Sequence, residues 1–180
     1  IKLSVIQQNQ VDAEKTKQPK IDKAAIADTL NELEFPLYFL DYETVSTALP
    51  LYGECKPYQQ IPFQYSLHVL RDPNGTLEHY EYLSHDSTTL PAHELLSNLK
   101  QQIGPSGSVI TWNKSFEMGR NREMAEQYPE FAELMNSIND RVFDLMEVFS
   151  KQCYVHHKFK VSSSIKKVLP VLVKGFTDDD

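Results

Sequence analysis

Two carboxylates, Asp41 and Glu43, stand two residues apart directly after the apolar run at residues 37–40. Side chains at i and i+2 of a strand lie on the same side, so both are predicted to project from the end of a buried strand, where α/β sheets bind ligands. Two carboxylates this close repel each other unless a proton or a cation lies between them, and oxygen ligands suit Mg²⁺ or Mn²⁺. The pair therefore indicates a divalent-cation site; the alternative is that Asp41 caps a turn and Glu43 is solvated.

A second acidic candidate, Glu117, follows another predicted strand, residues 108–112, and falls in the first turn of a predicted helix. The positive end of the helix dipole suits a carboxylate, and Phe116 beside it can turn inward to anchor the helix on the sheet. If the two predicted strands are neighbours, Glu117 can face the first acidic pair. The alternative is a capping box in which Ser115 or Asn113 is the cap and Glu117 complements the dipole.

Charged residues later in the chain add a possible fourth acid and a basic patch. Asp144 begins a predicted helix, residues 142–149, where its carboxylate either faces a metal or caps the helix. Lys166 and Lys167 follow the serine run at residues 162–164 and form a basic helix start. Such a helix start can hold a phosphate through ammonium charge and backbone N–H groups, or it can be a solvated surface.

The pattern of apolar residues predicts how these side chains are positioned. Residues 1–20 lack sustained periodicity and are predicted to form an extended or mobile leader, with residues 21–180 as one domain. The elements predicted in that domain are helix 22–33, strand 37–40, strands 63–70 and 77–83 joined by a turn at 72–75, helix 89–103, strand 108–112, helices 116–127, 131–138 and 142–149, and a short helix within 162–170. This order predicts an α/β fold: a mixed sheet with an antiparallel hairpin and flanking helices.

The composition limits the classes of function. The 180 residues include 18 basic and 25 acidic ones, a formal charge of −7, and 41% of the residues are hydrophobic. This balance excludes a protein that coats nucleic acid by bulk charge, yet it allows an enzyme that holds cations with clustered carboxylates. Apolar runs are far shorter than the roughly 20 residues of a membrane span, so a cytoplasmic protein is expected. The two cysteines are far apart and no histidine has a partner at i+3 or i+4, which argues against a zinc site.

Taken together, these motifs resemble the DEDD superfamily of 3′-to-5′ exonucleases, which share the ribonuclease H-like fold. The first motif is Phe39-Leu40-Asp41-Tyr42-Glu43-Thr44, and the second is Asn113-Lys114-Ser115-Phe116-Glu117. A closer resemblance links residues 38–44, 58–68, 116–117 and 164–170 to an uncharacterised bacterial family, a domain of unknown function regarded as an exonuclease relative. It covers about residues 35–173 and implies a ribonuclease H-like mixed sheet.

The resemblance also implies a two-metal site in which Asp41 and Glu43 hold Mg²⁺ or Mn²⁺. Glu117 occupies the position where the second motif of the superfamily normally has Asp; the extra methylene still reaches a metal but alters a geometry that Mg²⁺ tolerates poorly. The catalytic residues expected in this site are Asp41, Glu43, Glu117 and Asp144. The residues expected to bind the substrate are Thr44, Asn113, Phe116, Lys166 and Lys167.

The function expected from this resemblance is a metal-dependent 3′-to-5′ exonuclease-like phosphodiesterase that acts on single-stranded DNA or RNA ends, without a membrane partner. The third motif of the superfamily places His or Tyr a few residues before a last metal-binding Asp on a late helix, and no such pattern follows Lys167. We therefore expect either that the sequence stops before this motif, with a further nuclease domain in the full-length protein, or that the protein has lost the motif. The alternative is a catalytically degenerate nuclease fold that serves as a binding or scaffolding module.

Overall fold

The computed structural model describes residues 2–85, 88–173 and 175–176. Its helices and strands are, in chain order, α1 (Val5–Thr16), β1 (Lys20–Ile21), α2 (Lys23–Leu30), β2 (Leu37–Val45), β3 (Ile61–Leu70), β4 (Glu78–Leu83), α3 (Ala92–Gln102), β5 (Val109–Thr111), α4 (Lys114–Gln127), α5 (Ala132–Asp140), β6 (Val142–Asp144), α6 (Glu147–Ser150), β7 (Tyr154–Val155) and α7 (Ile165–Leu172). Short 3₁₀ turns lie at Pro129–Phe131 and His157–Phe159.

These elements form two compact units. The larger unit is Leu33–Asp144, and the smaller one consists of the described parts of Ile1–Glu32 and Leu145–Asp180. The larger unit contains a five-stranded sheet in the order β4-β3-β2-β5-β6, in which β3 pairs antiparallel with β2 and β4, while β5 is parallel to β2 and β6. The predicted α/β class, a mixed sheet with an antiparallel hairpin and flanking helices, is confirmed. The predicted boundary at residue 20 does not coincide with the division between these units.

Strand β2 lies at the centre of the sheet and carries the first acidic pair. The sequence predicts that this strand ends at residue 40, but it continues to Val45 because β3 pairs with it along the whole length. Asp41 and Glu43 therefore lie within the strand rather than after it, and the register shifts directly after Glu43. Both acids are exposed, whereas Tyr42 between them is buried, as strand alternation requires.

The hydrophobic core of the larger unit joins one face of this sheet to the helices that follow. The directly opposed pairs Tyr38–Val69, Leu40–Leu67 and Tyr42–Tyr65 place all six side chains on that face, and all are buried. The helical residues packed with them are Ala92, Leu95, Leu96, Leu99, Met124, Met135 and Ile138. Burial of each large apolar side chain contributes about 1.5–3 kcal/mol before the cost in conformational entropy, so this layer fixes the helices on the sheet.

The predicted helix at residues 142–149 is wrong for most of its length. Residues Val142–Asp144 form β6, which extends the sheet by pairing in parallel with β5, and only Glu147–Ser150 is helical. A short apolar run has no clear period, so tertiary pairing decides its structure. Asp144 consequently ends a strand instead of beginning a helix.

In the smaller unit, a helix lies where the sequence analysis expects an extended or mobile leader. Residues Val5–Thr16 form α1, which starts with a capping box between Ser4 and Gln7 and buries Asn9 and Ala13. The helix forms despite its weak apolar period because the cap supplies partners for its first N–H groups and two residues pack inward. Strands β1 and β7 pair antiparallel in the same unit. In the described part of the chain, no helix is long and apolar enough to cross a membrane.

Candidate functional site

Three elements of the larger unit bring acidic side chains together. Asp41 and Glu43 lie on β2, Glu117 lies in the first turn of α4, and Asp144 is the last residue of β6. Strands β2 and β5 are parallel neighbours, as the sequence analysis required for Glu117 to face the first pair. The charges of Asp41 and Asp144 both raise the pKa of Glu117, so the carboxyl groups of Asp41 and Asp144 each lie within electrostatic range of that of Glu117.

Glu117 is the most deeply buried acid of this cluster. Only 3% of its surface is exposed, and its Oε2 atom has no hydrogen-bond partner among the described residues. Burial is the main cause that raises the pKa of Glu117 to about 7; a hydrogen bond from its own backbone N–H opposes this, and the charges of Asp41 and Asp144 add to it. Near neutral pH this carboxyl group therefore takes up and releases a proton readily.

Asp41 and Glu43 form the exposed side of the cluster. Although Asp41 is exposed as a residue, protein around its carboxyl group removes hydration, and this raises the pKa of Asp41. The charge of Glu43 raises it further, against a hydrogen bond from the Tyr42 backbone. The predicted proximity of the two carboxylates is thus present in the structure.

Asp144 caps the start of helix α4, a role that its position in the sequence does not reveal. Its Oδ1 and Oδ2 accept hydrogen bonds from the backbone N–H groups of Asn113 (3.0 Å) and Lys114 (3.1 Å). Asp144 is therefore a cap, as one of the two alternatives proposed, but it caps α4 rather than a helix of its own. This contact fixes the start of α4 and with it the first-turn residue Glu117.

The predicted cap of α4 is wrong in detail. Helix α4 begins at Lys114 with Asn113 as its N-cap in a left-handed conformation (φ 75°), and no side chain of Asn113 or Ser115 caps the helix. Ser115 lies inside the helix, where its hydroxyl donates a 2.7 Å hydrogen bond to Oδ1 of Asn113. The carboxylate of Asp144 supplies the acceptor that these residues were expected to supply.

The sequence analysis missed a row of buried hydrogen bonds between polar side chains next to the acidic cluster. The Tyr42 hydroxyl donates to Oδ1 of Asn121 at 2.9 Å, and Nδ2 of Asn121 donates to Oδ1 of Asn139 at 2.9 Å. Burial, and secondarily the charge of Glu117, raise the pKa of Tyr42 well above its usual range, so its hydroxyl stays protonated as a donor. One signal was present: Asn121 follows Glu117 by one helical turn and so shares its face of α4.

The predicted substrate-binding residues occupy different environments. Thr44 donates a 2.6 Å hydrogen bond from Oγ1 to Gln60, and Phe116 is half-buried and packs against the core, as an anchor of α4 would. Asn113 is exposed at the helix start. Lys166 and Lys167 are exposed in the first turn of α7, which belongs to the smaller unit, so the acidic cluster of the larger unit does not include them.

The described residues contain no group of three or more His, Cys, Asp or Glu side chains arranged to hold a metal ion. The donors that remain available in the cluster are the exposed carboxylates of Asp41 and Glu43 and the unpartnered Oε2 of Glu117. Hard oxygen donors of this kind suit Mg²⁺ or Mn²⁺. An ion would thus require the exposed side chains to turn toward Glu117.

Comparison with known proteins places the sequence among uncharacterised relatives. The uncharacterised protein MG366 of Mycoplasma genitalium is 30% identical over 159 residues, 83% of this chain and 24% of the relative. UU173 of Ureaplasma parvum, also uncharacterised, is 30% identical over 174 residues, 90% of this chain and 24% of the relative. The chain thus spans about a quarter of the length of these relatives. No solved structure matches it. A family model described as a domain of unknown function, DUF2779, matches residues 38–164, and the chain belongs to that family.

Proposed function

We propose that this chain is the core of a metal-dependent 3′-to-5′ exonuclease-like phosphodiesterase that acts on nucleic-acid ends. The observation that carries the proposal is the unpartnered Oε2 of Glu117, buried beside the charges of Asp41 and Asp144. A buried carboxyl oxygen without a partner costs free energy, which a cation at the cluster would offset. The five-stranded mixed sheet agrees with the ribonuclease H-like fold that the sequence motifs imply.

The donor set fits Mg²⁺ or Mn²⁺. Asp41, Glu43 and Glu117 offer only oxygen atoms, and the raised pKa values of Asp41 and Glu117 reflect in part the mutual repulsion that a divalent cation would relieve. When bound at such a site, these ions activate a water molecule and stabilise the leaving oxygen of a phosphodiester. Binding must release the proton of Glu117, so affinity for the ion is expected to rise with pH through about pH 7.

The other residues of the cluster position these donors. Asp144 holds the start of α4 through two backbone N–H groups, and the Tyr42–Asn121 hydrogen bond holds the next turn of the same helix to β2. Together they fix Glu117 relative to Asp41 on the central strand. Asp144 is thus a positioning residue in this proposal, whereas the sequence analysis had counted it as catalytic.

The substrate class follows from the same chemistry. A phosphodiester carries negative charge, and a chain of net charge −7 attracts it through bound cations rather than through a basic surface. Binding by this chain alone is therefore expected to be weak and sensitive to salt. Because the relatives are about four times longer, we also propose that a further domain of the natural protein contributes to substrate binding.

The ion site is tested first by thermal unfolding with and without Mn²⁺. At a Mn²⁺ concentration about 100 times the dissociation constant, the free energy of unfolding is expected to rise by about 2.7 kcal/mol, with a matching rise in Tm. Asp41→Asn is expected to abolish most of this rise, whereas Asp140→Asn, an isosteric change at the exposed end of α5, is expected to keep it. An equal rise in both variants would place the ion elsewhere and contradict the proposal.

Catalysis is tested with single-stranded DNA and RNA oligonucleotides labelled at the 5′ end. Stepwise removal of nucleotides from the 3′ end in Mn²⁺, lost in Asp41→Asn and Glu117→Gln but kept in Asp140→Asn, would support the exonuclease. Removal of the label as a mononucleotide in the first step would instead indicate the opposite polarity and contradict it.

A catalytically degenerate binding or scaffolding module is the second candidate. Both carboxylate oxygens of Asp144 are engaged by backbone N–H groups, and the described residues hold no preformed group of three metal ligands. This candidate predicts binding of Mn²⁺ or of oligonucleotide without hydrolysis under any of these conditions.

A further inference from the structure

The smaller unit contains a cavity of about 700 Å³ whose lining includes no residue of the acidic cluster. It is lined by one side of α1, by β1, by the start of α2 and by the residues that follow α6. Cavities that bind small molecules typically measure about 300–1,000 Å³. The volume is therefore suited to a ligand the size of a nucleotide.

Three lysine residues line this cavity, Lys20, Lys23 and Lys151. Lys20 Nζ donates a 2.7 Å hydrogen bond to a neutral acceptor, Oδ1 of Asn9, and Lys151 pairs with Glu147. Within the part of the chain that the structure describes, neither Lys20 nor Lys23 has a carboxylate partner. The positive charges of these two lysines are therefore not neutralised by an acidic side chain among the described residues.

Asp22, the one acidic residue in the lining of the cavity, does not form an ion pair with Lys20 or Lys23. Oδ1 of Asp22 accepts a 3.0 Å hydrogen bond from the backbone N–H of Ala25, as the N-cap of α2. A carboxylate in this position is stabilised by the positive end of the helix. The protein as a whole has a net charge of −7, whereas the lining of this cavity contains three lysines and one capping acid. The cavity lining therefore has a net positive charge.

Asn9 adds a directed hydrogen-bond donor. Its residue surface is only 8% exposed, it lines the cavity, and its Oδ1 is occupied by Lys20. Its amide NH₂ group has no partner among the residues described here. A buried amide donor at a cavity wall, beside ammonium groups, is suited to the oxygen of an anion.

The rest of the wall is apolar. Val5 and Ile6 on α1 and Ile21 on β1 line the cavity, and Val5 is 76% exposed to solvent. Exposed aliphatic side chains next to an anion site favour a ligand that combines a phosphate with a flat apolar group. A nucleoside phosphate has both features.

We propose that this cavity binds a nucleoside monophosphate, with the phosphate at Lys20, Lys23 and the Asn9 amide and the base against the aliphatic wall. This inference does not rest on the proposed nuclease function, because no residue of the acidic cluster contributes to the cavity. The two proposals are tested by different measurements and can fail separately.

The test is titration of this chain with AMP, adenosine and inorganic phosphate, followed by calorimetry and by two-dimensional NMR of the backbone and side-chain amides. AMP is expected to bind saturably and more tightly than either fragment, and to shift the side-chain NH₂ signal of Asn9. Lys23→Gln is expected to weaken AMP binding about tenfold, since it removes a charge-assisted hydrogen bond. Val5→Ser is expected to weaken AMP binding but not phosphate binding.

The matched control is Lys56→Gln, which removes the same charge from an exposed residue of the larger unit. It is expected to leave AMP binding unchanged, and equal losses in Lys56→Gln and Lys23→Gln would mean that AMP responds only to bulk charge. Lack of saturation up to about 10 mM AMP, or adenosine or phosphate binding as tightly as AMP, would overturn the proposal. Among the described residues, the Lys23 side chain makes no hydrogen bond or ion pair, so thermal unfolding is expected to show this variant folded.

Discussion

The hydroxyl of Tyr42 donates a 2.9 Å hydrogen bond to Oδ1 of Asn121, and both side chains are buried. The bond joins the central strand that carries Asp41 and Glu43 to the helix that carries Glu117. Because Asn121 also donates to Asn139 on α5, its orientation is fixed from both sides. The strand and the helix that carry these acids are thus held together by buried hydrogen bonds as well as by apolar packing.

Tyr42→Phe tests how much the Tyr42–Asn121 hydrogen bond contributes to stability. The substitution keeps the ring but leaves Oδ1 of Asn121 buried without its donor, so we expect the free energy of unfolding to fall by about 1–3 kcal/mol. Urea unfolding followed by circular dichroism measures the change. Tyr58→Phe is the control, because Tyr58 is 71% exposed and its loss of a hydroxyl should change stability by less than about 0.5 kcal/mol. Equal stability of the two variants would show that the bond contributes nothing.

The second prediction concerns the hydrogen bonds by which Asp144 holds the start of α4. Asp144→Ala leaves the N–H groups of Asn113 and Lys114 without their acceptor, which is expected to cost about 1–2 kcal/mol of stability. Asp144→Asn keeps one acceptor oxygen and should cost less. Asp140→Ala, at the exposed end of α5, serves as the control and should stay within about 0.5 kcal/mol of the parent protein. If Asp144→Asn is as damaging as Asp144→Ala, the carboxylate charge rather than its capping geometry is what stabilises α4.

The sequence predicted the parts of the site that depend on local periodicity. Asp41 and Glu43 share a side of β2 because strand residues alternate, and Glu117 reaches the cluster because β2 and β5 are neighbours. The antiparallel hairpin followed from the turn at Asp72, whose carbonyl accepts a hydrogen bond from Gly75, and from the alternating strands on either side. Metal binding by these acids stays a prediction.

The parts that depend on distant pairing were beyond local patterns. Val142 and Phe143 are as compatible with a buried helix as with a strand, and only their pairing with β5 makes them a strand. The cap that Asp144 provides follows from that pairing, since it brings the end of β6 beside the start of α4. The Tyr42–Asn121 bond likewise joins residues that no short-range pattern relates.

Two glycines give opposite predictions for the same substitution. Gly107 has φ +91°, and a Cβ there would lie 2.8 Å from N and Cδ of Pro36 and closer still to its carbonyl oxygen, so Gly107→Ala is expected to cost at least about 2 kcal/mol. Gly119 lies inside α4 with open space around it, and Gly119→Ala should stabilise the protein by up to about 1 kcal/mol through helix propensity. Urea unfolding of both variants checks the pair. Stabilisation by Gly107→Ala would mean that the loop before β5 relaxes away from Pro36.

The final prediction concerns the pH dependence of stability. The pKa of Glu117 is raised from 4.5 to about 7, chiefly by burial and further by the charges of Asp41 and Asp144, so the folded protein holds this proton more tightly than the unfolded chain does. Stability is therefore expected to fall as the pH rises from about 4.5 to about 7 and to stay reduced above that, by an amount of the order of 3 kcal/mol. The raised pKa of Asp41 acts with the same sign.

Glu117→Gln removes this titration, because the amide stays neutral at every pH. We expect urea unfolding between about pH 5 and pH 8 to show a flatter stability profile in Glu117→Gln than in the parent protein, while the exposed-site control Glu133→Gln keeps the parent slope. Saturating Mn²⁺ should flatten the profile of the parent protein and of Glu133→Gln, since the bound ion keeps Glu117 ionised in the folded protein, as it already is in the unfolded chain over this pH range. Identical profiles for the parent and Glu117→Gln would mean that Glu117 is already ionised when folded, and the unpartnered oxygen would no longer argue for a cation.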